Sequence, residues 1–273
     1  MPLLVVVLLG LLFVGWTVSQ PWRVERRRER LRRRPFPAAW RRILKRRVPI
    51  FRRLPTDLQL QLKGHIQVFL AEKPFIGCAG QRITDEVRVS IAAQACLLLL
   101  NRPRPRYFEA LRQVLVYPGA FIVDRAVPAG AGVLQDQRRA LAGESWQAGQ
   151  VILSWQDVLE GAGVEDDGRN VVLHEFAHQL DQETGEANGA PRLSHPRQYR
   201  GWSRVFGDAF ARLGRDLDRE QPTLLGPYAA SSPAEFFAVA TEIFFERPNA
   251  LATDSPELYG ELAQFYRTDP RNW

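Results

Sequence analysis

Cysteine is nearly absent from this sequence. Two residues in 273, Cys78 and Cys96, cannot form a disulfide framework for a chain this long, and they are not spaced as a cysteine zinc site. Such usage fits a reducing compartment. Glycine (20) and proline (19) occur near average frequency, which excludes collagen-like and low-complexity architectures. Internal repeats are missing too. With 45% hydrophobic and 25% charged residues, most of the chain is ordinary globular protein, enough for one large domain or two small ones.

Charge of one sign is confined to one block. Of 37 Lys/Arg, 15 fall within residues 22–53 beside only Glu25 and Glu29, so that block carries +13. The net charge is +7, so the remainder carries −6. A mildly acidic body has no general nucleic-acid footprint, and direct nucleic-acid binding is not expected.

Ahead of the block, residues 3–18 (LLVVVLLGLLFVGWTV) carry no charge. The run is short for a spanning helix but close to the lower limit of ~17 residues. Trp16 and Trp22 sit where interfacial aromatics belong. A cleaved signal peptide fits less well: no basic residue precedes the run, no A-x-A-like site follows it, and the arginines lie on the wrong side for export. Residues 1–20 therefore read as a single transmembrane helix. The positive block holds the following residues in the cytoplasm, which implies a single-pass inner-membrane protein. Residues 21–53 read as a basic juxtamembrane segment, with 22–53 facing an anionic membrane surface. Trp40, Ile43, Leu44, Val48 and Phe51 suggest a short amphipathic stretch lying on that surface or on the domain.

Residues 54–273 read as one domain of α+β class. Helical spacing covers 57–72. Thr84-Asp85-Glu86 starts a helix into Val87–Leu100. Val114–Tyr117 and Ala120–Val123 flank the Pro118-Gly119 turn signal, and Ala131–Gln135 and Gln150–Ser154 are further β-like runs. Ala162–Gly168 reads as loop, and Asn170–Asp181 as a strong helix. A loop runs to about Pro196, and helices cover parts of 197–214, 233–246 and 256–267.

The chemistry lies in His174-Glu175-Phe176-Ala177-His178, an H-E-x-x-H pattern. On a helix, positions i and i+4 share a face one turn apart, so two imidazoles can grip one Zn²⁺ while the intervening Glu reaches a metal-bound water. Leu173, Phe176, Ala177 and Leu180 form the buried stripe of that helix. Asp166 and Asp167 precede it, where anions suit a helix N-terminus. His65 and His195 are isolated. A catalytic zinc needs a third protein ligand. The pattern with a third downstream His fails, because Asp181 and Thr184 occupy its Gly and His positions. A carboxylate is the other solution: Asp181, Glu183, Glu186, Glu235 or Glu242. The first three lie too near in sequence to fold back without a tight turn. Glu235 also completes a capping box, Ser232-Pro233-Ala234-Glu235. Spacing leaves Glu235 and Glu242 both open. Asp181 is placed to hydrogen-bond a ligand imidazole.

VVLHEFAHQLD, followed by GPYAASSPAEFFAVATEIFF, resembles the Mlc titration factor A family of glutamate-zincin metallopeptidases. TDEVRVSIAAQACLLLL and VILSWQDVL match the same family, in the right order, over about residues 65–270. The resemblance implies a zincin-like fold, with the motif helix packed on a small mixed sheet. It implies one zinc ion held by His174, His178 and Glu235, with Glu175 as general base and Tyr228 taking part in catalysis. It also implies aminopeptidase activity on a peptide or protein substrate. Its founding member binds the repressor Mlc, so a regulatory protein that sequesters a transcriptional repressor is the alternative expectation. The apolar run and the arginine block are not part of the quoted motifs.

Overall fold

Prolines and capping residues set the helix boundaries of the N-terminal third. Four helices come first: α1 (Pro2–Val18), α2 (Gln20–Arg32), α3 (Ala38–Arg47) and α4 (Ile50–Arg53). Pro35 and Pro37 separate α2 from α3, and Pro55 precedes α5 (Thr56–Glu72). The computed structural model describes residues 2–119, 121–129, 133–141, 143–146, 149–163 and 168–273, with side chains outside 2–8, 11 and 121–146.

The expected transmembrane helix is corrected here. No helix among the described residues is long and apolar enough to cross a membrane. The 17 residues of α1 span about 25 Å at 1.5 Å per residue, short of a hydrocarbon core of about 30 Å. Polar Ser19 and Gln20 end the run, and α2 brings charge at once. The single-pass inner-membrane placement is corrected with it. An anionic membrane surface for residues 22–53 is not supported either, since much of that segment packs on the body of the protein. Leu31, Leu44, Val48, Phe51 and Leu54 are buried. Arg28 makes a bidentate pair with Glu72, both bonds 2.9 Å. Arg32 donates to Glu25 and Glu29, and Arg46 and Arg47 converge on Glu86. The amphipathic stretch thus takes the second of its two expected positions, on the domain.

The remaining elements are β1 (Phe75–Gly77), α6 (Asp85–Leu97), β2 (Gln113–Tyr117), β3 (Phe121–Ala129), β4 (Val133–Leu141), β5 (Gly143–Trp146), β6 (Gln150–Ser154), α7 (Trp155–Gly163), α8 (Val171–Asp181), α9 (Gln198–Asp218), α10 (Pro233–Glu246), α11 (Pro248–Asp254) and α12 (Pro256–Tyr266). The expected α+β, zincin-like class with a membrane span is corrected to a mostly helical fold with a small sheet. Its strand order is β1-β2-β6-β5. β1, β2 and β6 run parallel, pairing Phe75 with Val114 and Val114 with Val151. β5 joins the edge antiparallel, Glu144 opposite Ile152. The chain does turn after β2, but β3 leaves this sheet and, among the described residues, pairs with β4. The expected strand residues Ala120, Ala131 and Gly132, and residues 164–167 of the expected loop, with Asp166 and Asp167, lie outside the described residues, while Ala162 and Gly163 belong to α7 rather than to that loop.

α8 is the central element. It packs against α10, α6, α7, β5 and β6. Its residues from Val172 to Asp181 are all buried. Phe176 meets Phe69 and Phe108 at ring-centroid distances of 5.7 and 4.8 Å, tying α8 to α5 and to the loop before β2. On the far side of α10, Phe237 contacts Trp202 of α9 and Phe265 of α12. These aromatic contacts fix the height and rotation of α8 and α10 against each other.

One buried histidine belongs to this scaffold. His65 accepts a hydrogen bond at Nδ1 from the Tyr107 hydroxyl (2.8 Å), which itself accepts from Arg32 (3.3 Å). Burial, with Arg32 nearby, pushes His65 down to about 4 from an ordinary 6.5. An unfolded chain takes up this proton near pH 6.5, and the folded chain only near 4. The folded state therefore keeps its full advantage above 6.5 and loses it as pH falls through that window, by ~3 kcal/mol. Urea midpoints of wild type and His65→Gln, followed from pH 7 to pH 4, should converge as pH drops. Parallel curves would contradict the assignment.

Candidate metal centre

Two helix starts aim the site. Asn170 caps α8, its Oδ1 accepting from the Leu173 amide at 3.0 Å. Ser232 caps α10, its Oγ accepting from the Glu235 amide at 3.2 Å with Pro233 in the first helical position. Ser232 thus performs its half of the capping box, while the Glu235 side chain turns toward α8.

The loop between the helices is pinned by Asp181. It does not bond a ligand imidazole as expected; its Oδ2 accepts from the Gly189 amide at 2.7 Å. Gly189 has φ +78°, and a Cβ there would lie 2.5 Å from the Pro233 carbonyl. Only glycine allows this loop to press against the first turn of α10. The Gly189 carbonyl accepts from the Trp202 indole at 2.9 Å, which adds α9 to the clamp.

The clamp brings three side chains together. His174 Nε2 lies 3.0 Å from Glu235 Oε2, His178 Nε2 lies 3.4 Å from the same oxygen, and the two Nε2 atoms are 3.2 Å apart. Among the described residues this is the one group of three such side chains that could hold a metal ion, with ligand atoms all within 4.8 Å. Ligand atoms about 2.0–2.1 Å from a tetrahedral ion stand about 3.3 Å from one another, so the observed triangle suits one shared cation. Glu175 is buried one residue beyond His174. Tyr228 lies in a 3₁₀ turn (Pro227–Ala230), its ring centroid 5.8 Å from that of His174 and its surface 57% exposed. His195 accepts from the Arg197 amide within its own loop, and His65 belongs to the scaffold.

Glu242, which spacing leaves open beside Glu235, touches the same imidazole as Glu235 does. His174 Nδ1 donates to Glu242 Oε1 at 2.8 Å, which fixes the tautomer that turns the Nε2 lone pair toward the triangle. Glu242 Oε2 accepts from the Asn170 amide, and Asn170 Nδ2 donates to Glu246 at 3.0 Å. Residues 235 and 242 lie seven apart, two turns along one face of α10. That spacing was visible in the sequence; the division of labour was not.

The electrostatics follow from this packing. Burial opposes charge on His174, but hydrogen bonds to Glu235 and Glu242 raise its pKa well above the ordinary value. Burial likewise opposes charge on Glu235, yet the two imidazoles hold its carboxyl well below the usual range. Partial desolvation, and then the neighbouring Glu235, push the Tyr228 phenol up, so it stays a proton donor at neutral pH.

Residues 22–267 match the family model of glucose-regulated metallo-peptidase M90. The match includes the arginine block, which the motifs read from the sequence had left out. The chain is 40% identical to an uncharacterized protein of Synechocystis sp. over 268 residues, covering 97% of this chain and 95% of that one. It is 33% identical to Mlc titration factor A of Klebsiella pneumoniae over 226 residues (82% of this chain, 84% of that one). It is 30% identical to Mlc titration factor A of Escherichia coli O127:H6 over 256 residues (93% and 92%).

If Glu242 orients His174, Glu242→Gln should weaken the affinity of the triangle for an added divalent cation by about 10–100-fold while all three of its side chains remain. Competition with a chromophoric chelator measures this. An unchanged affinity would show that the contact does not set the imidazole.

Proposed function

Because the chain belongs to the glucose-regulated metallo-peptidase M90 family, a zincin-type family, we propose that it is a zinc-dependent peptide hydrolase, and more narrowly an aminopeptidase. The observation that carries this reading is the triangle of His174, His178 and Glu235 with a buried carboxylate, Glu175, beside it. His174, His178 and Glu235 are the metal ligands. A zinc ion bound there would act as a Lewis acid and lower the pKa of a coordinated water to about 7.

The protein's own groups do the rest. Glu175 takes the proton from the attacking water and delivers it to the leaving amine. Its buried position keeps bulk water from competing for that proton. The Tyr228 hydroxyl, held protonated, donates a hydrogen bond to the carbonyl oxygen as negative charge develops there. β5 packs beside α8 and is the outer strand of the described sheet. Its outer edge, unpaired among the described strands, offers backbone donors and acceptors to an extended peptide.

A second reading rests on the relatives whose printed name is Mlc titration factor A. In it the chain captures a transcriptional repressor of the Mlc type, and catalysis is secondary.

Glu175→Gln separates the two. The variant should keep its zinc and lose at least ~10²-fold in hydrolysis of aminoacyl anilides. Activity equal to the parent would rule Glu175 out as the base. If hydrolysis is the principal role, the variant and the zinc-free protein should fail to retain the repressor. Tight capture by both would favour titration.

A further inference from the structure

A cavity of about 380 Å³ opens where α10 meets α11, and none of the metal-facing side chains lines it. Its volume falls within the range of small-molecule sites. Among the described residues, the side chains lining it carry three guanidiniums, of Arg53, Arg247 and Arg271, and one carboxylate, of Glu246. Asp269, which fixes Arg271 through two hydrogen bonds of 3.0 and 2.7 Å, is not part of the lining. Arg271 also stacks over Tyr259, 4.6 Å from its ring centroid. The lining side chains therefore hold more guanidinium than carboxylate, and Arg271 is held in place before any ligand arrives. Pro248 and Trp273, whose ring centroid lies 5.8 Å from that of Phe245, complete the lining.

Guanidinium forks match phosphate oxygens two at a time, and an indole face accepts a ring or a stack of C–H groups. We propose that this cavity binds a small organic phosphate, a monoester carrying close to two negative charges at neutral pH, and that its occupancy is transmitted to the metal centre.

The transmission path is the hydrogen-bonded face of α10. Glu246 lines the cavity and accepts from Asn170 Nδ2 at 3.0 Å. The Asn170 amide donates to Glu242, and Glu242 accepts from His174 Nδ1 at 2.8 Å. Glu235, at the other end of that face, lies about 16 Å away along the helix. A phosphate in the cavity brings negative charge against Glu246, which moves or reorients its carboxylate. Asn170 is both the cap of α8 and the partner of Glu242, so a displaced Glu246 changes the set of His174. Only this coupling rests on the metal reading; binding in the cavity does not.

Phenyl phosphate and inorganic phosphate are the probes, titrated by calorimetry into the full chain with and without one zinc per chain. Phenyl phosphate should bind in both forms and more tightly than inorganic phosphate. Arg247→Ala and Arg247→Gln should each weaken it at least ~10-fold. Saturating phenyl phosphate should shift the zinc affinity of the wild type by ~5-fold or more. Glu246→Gln should still bind phenyl phosphate and lose that shift. Absence of binding, equal binding by the wild type and both Arg247 variants, or binding that vanishes when zinc is removed would overturn the site. An unmoved zinc affinity, or a shift that persists in Glu246→Gln, would overturn the coupling.

Discussion

The contact between Glu235 and the two imidazoles of α8 is the constraint on which the rest of the molecule depends. Two histidines one turn apart are a local consequence of helical geometry. The third corner comes from 57 residues further along the chain than His178, and only the packing of α10 on α8 can supply it. Most of the fold serves that contact. Two side-chain caps set where the helices begin. Asp181 and Gly189 lock the intervening loop against the first turn of α10. The aromatic residues of α5, α9 and α12 hold the pair from opposite sides.

Burying this much charge is costly unless each group is paired. α10 is apolar over most of its surface, yet it carries Glu242 and Glu246 into the interior and Glu235, half-buried, to its edge. Each meets a donor on α8 or at its cap, so the carboxylates and imidazoles neutralise one another. The same pairing makes the site sensitive. A change at Asn170 or Glu246 reaches His174 through hydrogen bonds rather than through solvent. A cation in the triangle would take over the role that a shared proton plays between His174 and Glu235.

What the sequence disclosed was local. The i, i+4 histidines, the Thr84 and Ser232 caps, the buried stripe of α8 and most helix boundaries follow from spacing and capping chemistry. Nonlocal pairing was out of reach. Nothing around Pro118-Gly119 shows that β2 pairs with β1 and β6 while β3 turns to β4. α11 went unread because seven residues starting at Pro248 hold too little periodicity. Glu235 and Glu242 share one face of one helix, so spacing could not tell which reaches Nε2 and which Nδ1. The arginine block misled for a related reason. Composition counts its cations, but only the fold shows that Arg28 and Arg32 turn inward to Glu72 and Tyr107. The apolar run ahead of it is one of borderline length, and no helix among the described residues is long and apolar enough to cross a membrane.

X-ray absorption at the zinc edge of the purified full-length protein bears most directly on the central contact. The account predicts one zinc per chain, with two imidazole nitrogens and one carboxylate oxygen within about 2.0–2.2 Å. Replacing Glu235 by Gln should remove the carboxylate scattering and most of the metal. A spectrum unchanged in that variant, or a wild-type protein that takes up no zinc, would contradict it.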